Sequence, residues 1–282
     1  FSVFLIYFQR GAAFMDKIYQ VLEKVRNQSP VVYHITNWVT SSDCANIVKA
    51  FGGFPVMAHA KEEAAEMACA SGAVVINIGT LDSFIMEAMK FAVAAANEKG
   101  IPVILDAVGA GSTKFRNDML KELMRNKIDV IKGNASEIAA AAGINAGAGA
   151  PGDGERACGD MVEIAKRFAD EKKCVVAVTG KEDICTNGES VLLIKNGSPM
   201  MPTIVGTGCM AASVIGTFCA VEKDYFFASA AALVCFEIAA ENADKTSEGP
   251  GTFRNKLFDK ISTLSDISIN KMKRIEEKQC GK

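Results

Sequence analysis

The chain has 282 residues, 49% of them hydrophobic, and a formal net charge of −2. That supply of apolar side chains excludes disorder throughout and suffices for one large α/β domain or two smaller ones. The near-neutral balance lacks the basic footprint of a protein that tracks nucleic-acid phosphates. Nine scattered cysteines without a CxxC pair, and only two histidines, His34 and His59, argue against a zinc site and against a His-based triad. The thiols read as reduced and cytoplasmic.

Phe1 to Phe14 is an apolar stretch whose charge, Arg10, follows it, the reverse of a signal peptide. An amphipathic helical pattern begins after Met15. Residues 1–14 therefore read as an extraneous extension, and residues 15–282 as a single domain. No apolar run reaches the roughly 20 residues that a membrane helix requires.

Strand-like runs follow at Val31–Ile35, Val74–Ile78, Pro102–Leu105, Ile128–Ile131, Val175–Val178 and Val191–Ile194. Between them lie segments of helical period such as Ser83–Lys99 and Gly159–Lys172. Continuous apolar strands alternating with helices predict a mostly parallel sheet covered on both faces. Ligands of such sheets bind at the carboxyl ends of the strands, so the residues just after each run are the ones to inspect.

Leu105-Asp106-Ala107-Val108-Gly109 sets a carboxylate at a strand end beside a glycine turn. Asp106 could orient Mg²⁺ near phosphates, or simply cap a turn. In Lys132-Gly133-Asn134-Ala135-Ser136-Glu137 a strand-end cation is followed by Asn and Glu three apart at a helix start, which also fits an ordinary cap. Gly143 to Gly159 is a low-complexity loop. Its GxGxxG match has no strand before it and no helix opening on it, so a dinucleotide site is rejected. Thr179-Gly180-Lys181 offers a hydroxyl and a turn for a nucleotide phosphate, while no GxxxxGK[ST] occurs.

The most informative segment is Gly206-Thr207-Gly208-Cys209, which opens a helical run. Two glycines and a helix N-terminus can aim N–H groups at an anion, so Gly206, Thr207 and Gly208 are the expected anion hole. Cys209 at that helix start is expected to have a lowered pKa. The alternative is a glycine turn followed by a buried core cysteine.

Together these segments resemble the hydroxyethylthiazole kinase family of the ribokinase-like superfamily, from about Pro30 to Cys219. The markers are His34-Ile35-Thr36-Asn37, Pro55-Val56-Met57-Ala58, Asn77-Ile78-Gly79-Thr80-Leu81, Asp106 to Gly111, Gly133 to Glu137, and Gly206 to Cys209. The resemblance implies an α/β ribokinase-like fold and ATP-dependent phosphorylation of the hydroxyethyl group of 4-methyl-5-(2-hydroxyethyl)thiazole. It implies Mg²⁺ and a homotrimer with active sites between subunits. It assigns Asn37, Met57 and Gly206 to the thiazole, Lys132 and Thr179 to ATP, and Asp106 and Glu137 to the metal. Cys209 stands where related kinases carry an Asp base.

Two positions depart from the family pattern. Lys132 replaces the usual Arg, exchanging a bidentate fork for a point charge. Ala107 replaces the usual Pro, which is expected to loosen the turn after Asp106. Alternatives are another ribokinase-like kinase, such as one acting on hydroxymethylpyrimidine, a non-catalytic nucleotide-binding protein, and a thiol acyltransferase using Cys209.

Overall fold

The computed structural model describes residues 17–144 and 155–278. The expected extension, residues 1–14, and most of the expected low-complexity loop lie outside these residues.

The apolar runs become strands because their side chains can be buried on both sides. Val31–Ile35 (β1), Ala73–Asn77 (β3), Val103–Asp106 (β4), Val130–Asn134 (β5), Val175–Thr179 (β6) and Val191–Ile194 (β8) correspond to the six expected runs, each shifted by two or three residues at most. Three further strands escape the apolar pattern. They are Phe54–Met57 (β2), Asp183–Thr186 (β7) and Ile275–Lys278 (β9). The sheet order is β2-β1-β3-β4-β5-β6-β7-β8-β9, with β2 through β6 parallel and the last three strands antiparallel.

The helices are Ile18–Gln28 (α1), Ser41–Phe51 (α2), Ala64–Cys69 (α3), Ser83–Lys99 (α4), Lys114–Leu123 (α5), Ala135–Ala141 (α6), Glu155–Lys172 (α7), Thr207–Cys219 (α8), Tyr225–Asp244 (α9), Pro250–Ser262 (α10) and Asp266–Met272 (α11). Local chemistry sets several ends. Asp82 accepts from the Ile85 N–H to start α4, and Gly100 stops it in a left-handed conformation. Helix α7 opens at Glu155, so the expectation that the loop runs to Gly159 with no helix opening on it is corrected. The element before that loop is α6, not a strand, and the dinucleotide pattern still lacks its context.

Two hydrophobic cores flank the sheet. One packs α1, α2, α8, α9, α10 and α11 against residues such as Val32, Val75 and Ile104. The other packs α3 to α7 against Tyr33, Ile76 and Leu105. Helix α9 corrects the expectation from apolar runs, since by length and composition it is apolar enough to cross a membrane. Its residues are mostly buried in the first core, packed on α8 and α10, and that burial accounts for its apolarity.

Candidate active site

Side chains opposite one another on parallel strands project to the same face. In register, Asn77 lies beside Asp106 and Asp106 beside Lys132. These strand-end residues form a polar row at the carboxyl edge, beneath the N-terminus of α8. The row is joined by hydrogen bonds: Asn77 Nδ2 donates to Asp106 Oδ2 at 2.6 Å, and Lys132 Nζ donates to Asp106 Oδ1 at 3.2 Å. Above it, Cys209 Sγ accepts from Asn77 Nδ2 at 3.3 Å and from Asn37 Nδ2 at 3.4 Å.

Gly206 immediately precedes helix α8 at its N-cap position, and its φ of 97° lies where glycine is favoured. A Cβ there would also stand 2.7 Å from Thr40 Cγ2. No side chain caps this helix, so the N–H groups of its first turn remain available to a ligand. A Cβ on Gly208 would lie 3.0 Å from Lys132 Nζ, so this glycine lets the ammonium approach the helix end. Two positive features therefore converge, the buried lysine and the positive end of α8.

Burial sets the electrostatics. Asp106 is fully buried, which pushes its carboxyl up to about 6, with Lys132 opposing and Glu137 reinforcing the shift. Burial alone would lower Lys132, but Asp106, Glu137 and Cys209 outweigh it and hold the ammonium above its ordinary value. The Lys132 direction favours the charged pair, whereas the Asp106 direction opposes it; at about 6 the carboxyl still lies below neutral pH, so the pair is charged there by a narrow margin.

Cys209 corrects the expected lowering. Burial first, and then the Asp106 charge, push its thiol up, and the hydrogen bonds from Thr40 and Asn77 and the nearby Lys132 only partly offset them. The helix-end effect fades within a turn and is weaker than desolvation here.

The remaining expected residues lie at or just after the carboxyl ends of the parallel strands, with varied surroundings. Asn37 is buried, and its Oδ1 accepts from the N–H and hydroxyl of Thr40, both at 3.0 Å. Met57 is half-buried at the end of β2, opposite His34. Thr179 ends β6 beside Asn134, with its Oγ1 3.5 Å from the Gly133 carbonyl oxygen. Glu137 forms a capping box: Oε2 accepts from the Asn134 N–H at 2.8 Å, and Asn134 Oδ1 accepts from the Glu137 N–H at 2.9 Å. Its Oε1 accepts from the Gly109 N–H at 2.9 Å, joining the loop after β4 to α6.

Three features were missed from sequence. Asn77 bridges Asp106 and Cys209, and a strand ending in an amide beside a strand ending in Asp was its signal. Arg116 on α5 donates to the carbonyls of Ile78 and Gly79, each at 2.6 Å, and of Val108 at 3.1 Å, clamping the loops after β3 and β4. Nothing in its sequence context marked it. The Ala107 N–H donates to the Lys132 carbonyl at 2.8 Å. A proline there has no N–H to give, so Ala107 adds a tie between the segments carrying Asp106 and Lys132 where loosening was expected.

A buried lysine and an uncapped helix end converging over a strand-end carboxylate, at the carboxyl edge of a parallel sheet, define the site of a phosphoryl-transfer enzyme. A model of the hydroxyethylthiazole kinase family matches residues 22–266. The hydroxyethylthiazole kinase of Methanosarcina acetivorans is 49% identical over 258 residues, covering 91% of this chain and 98% of that one. The structure of a hydroxyethylthiazole kinase protein from Pyrococcus horikoshii superposes with a TM-score of 0.86 at 39% identity, covering 93% of this chain and 99% of that one. A ribokinase-like superfamily protein from Enterococcus faecalis, 14% identical with a TM-score of 0.58 and covering 82% of this chain and 86% of that one, shares the fold. The chain belongs to the hydroxyethylthiazole kinase family and has the ribokinase-like fold.

Proposed function

We propose that the chain transfers the γ-phosphoryl group of ATP to the hydroxyethyl group of 4-methyl-5-(2-hydroxyethyl)thiazole. The observation that carries this reading is the convergence of Lys132 Nζ and the uncapped start of α8 at Gly208. Lys132 is paired with Asp106 on one side, and on the other its ammonium and the positive end of α8 together favour an anion placed beside them, as a transferring phosphoryl group would be. Gly206, Thr207 and Gly208 then form the anion hole, while Lys132 and Thr179 hold the nucleotide phosphates. Asn37, Met57 and Gly206 line the acceptor alcohol's side.

Mg²⁺ fits the donor set through its water shell. Each oxygen of Asp106 and Glu137 already accepts one protein donor and keeps a second lone pair, and Mg²⁺ retains several waters in such sites. When bound it would neutralise charge on the phosphate oxygens. Cys209 stands beside the acceptor hydroxyl as a positioning group or proton acceptor, not as a nucleophile. Its raised pKa favours positioning, because a protonated thiol accepts no proton until it has lost its own. A loose phosphoryl-transfer transition state needs no strong base.

Trp38, Val39 and Val205 flank Asn37 and Gly206 and are 62%, 70% and 70% exposed. An apolar rim of this kind supports a homotrimer with active sites between subunits. Seven of the nine cysteines are seen as free thiols, which supports a cytoplasmic location.

The test is purified protein with ATP and Mg²⁺ against the thiazole alcohol, hydroxymethylpyrimidine and sugars. Turnover is expected with the thiazole alcohol. Turnover with the pyrimidine alone would assign the other acceptor, and none with any alcohol would leave a binding protein.

A further inference from the structure

The carboxamide of Asn77 is buried, and all four of its hydrogen-bonding valences are used. Oδ1 accepts from the Gly79 N–H at 2.9 Å and from Asn37 Nδ2 at 3.0 Å, while Nδ2 donates to Asp106 Oδ2 and to Cys209 Sγ. Amide orientation is often ambiguous, but here the backbone decides it. The Gly79 N–H can only donate, so the Asn77 oxygen must face it and the nitrogen must face the carboxylate and the sulfur.

Asn37 obeys the same logic. The Thr40 N–H fixes the Asn37 oxygen, which leaves its Nδ2 for Asn77 and Cys209. The loop after β3 is shaped around this pair of amides, since a Cβ on Gly79 would lie 2.9 Å from Asn77 Oδ1 and 3.0 Å from Asn37 Cβ. Two backbone N–H groups thus dictate that the sulfur receives two amide hydrogens. One nitrogen, Asn77 Nδ2, touches both the thiol on α8 and the carboxylate at the end of β4.

We propose that Asn77 is a positioning residue of the phosphoryl transfer, whose single nitrogen sets the placement of the Cys209 sulfur relative to the Asp106 carboxylate. The inference rests on the function proposed above, in which Cys209 meets the acceptor hydroxyl and Asp106 serves the phosphate side. Asn77 touches neither substrate. It fixes the relation between the two groups that do, and misplacement of such groups by about 1 Å can cost roughly 100-fold in rate.

The experiment is a double-mutant cycle of Asn77→Ser and Cys209→Ala, read as kcat and as KM for ATP and for the thiazole alcohol. Asn77→Ser alone is expected to lower kcat roughly 10- to 100-fold with each KM changed less than about threefold. In the Cys209→Ala background the same substitution should cost clearly less, because the sulfur it positions is gone. Equal losses in both backgrounds, a change confined to KM, or an unchanged kcat would overturn the proposal.

If Asn77→Ser does not fold, Asn77→Ala decides in the same cycle. It removes both donors without setting a second carboxyl against Asp106. A chain that folds with neither shows that Asn77 holds the fold and not the reaction geometry, which also overturns the proposal. Wild-type enzyme serves as the separate arm: failure to phosphorylate the thiazole alcohol rejects the substrate, whereas normal wild-type turnover with unaffected Asn77 variants rejects only the positioning role.

Discussion

Two groups of buried ionisable side chains sit on the same face of the sheet, and they solve the problem of burial differently. Around Asp106 every charge has a partner: Lys132 supplies a cation and Asn77 an amide hydrogen. At the other group, Asp183 on β7 meets Glu237 on α9, and among the described residues no cation is bonded to either. Asp183 Oδ1 accepts from the Gly180 N–H at 2.9 Å, but Asp183 Oδ2 and Glu237 Oε2 are buried with no donor other than a proton between them. Burial, then the nearby Asp183, push Glu237 up to about 11, and burial raises Asp183 as well. The lesson is that a compensated ion pair stays charged and can meet a charged ligand, whereas an uncompensated carboxyl pair persists only by keeping a proton.

The largest expected effect comes from breaking the compensated group. Asp106→Ala leaves the Lys132 ammonium buried without its counter-charge, at a cost of about 3–5 kcal/mol. It also removes the carboxylate proposed to serve the phosphate side. Denaturant unfolding should show the stability loss, and kcat should fall strongly in the protein that remains folded. Near wild-type stability would mean that Lys132 finds water or another anion.

A smaller effect sharpens the other half of the comparison. Glu237 is raised in the folded chain, so its contribution to stability is full below pH 4.5 and is lost as pH rises through about 11. The groups around the pair are Glu241 and Arg274 near Glu237, and Lys132 near Asp183. Glu237→Gln supplies a permanent donor to Asp183, so it should flatten the alkaline decline and change stability at neutral pH by about 1 kcal/mol. Urea midpoints measured from pH 6 to 10 for both proteins check this, and parallel curves would contradict the shared proton.

The smallest expected effect is at His34, another buried titratable side chain. Its Nδ1–H donates to the Val32 carbonyl at 3.0 Å, Nε2 has no partner among the described residues, and burial lowers the ring to about 4. The folded state holds the neutral ring, so its contribution is present above pH 6.5 and is lost as pH falls through about 4. His34→Leu should narrow the difference in denaturant midpoint between pH 7 and pH 4.5. An unchanged difference would place the acid sensitivity elsewhere.

Much of the architecture was legible because burial on both faces leaves a continuous apolar run, as in Val74 to Ile76 or Val175 to Val178. β2 was not legible, since Pro55 on an edge strand breaks the pattern, nor was β9, whose Glu276 and Glu277 face solvent. For the site, strand ends and glycines pointed to Asp106, Lys132 and Gly206 to Cys209, because backbone geometry at those places is a local property. By itself the sequence determined the alternation of strand and helix, the edge where ligands gather, and, through its six ordered markers, the family. Tertiary structure alone decided the direction of the Cys209 shift, because desolvation depends on what packs around the sulfur. It also decided the bridging role of Asn77, because the Gly79 N–H that orients its amide and the Asp106 and Cys209 atoms it joins come from three separate segments of the chain.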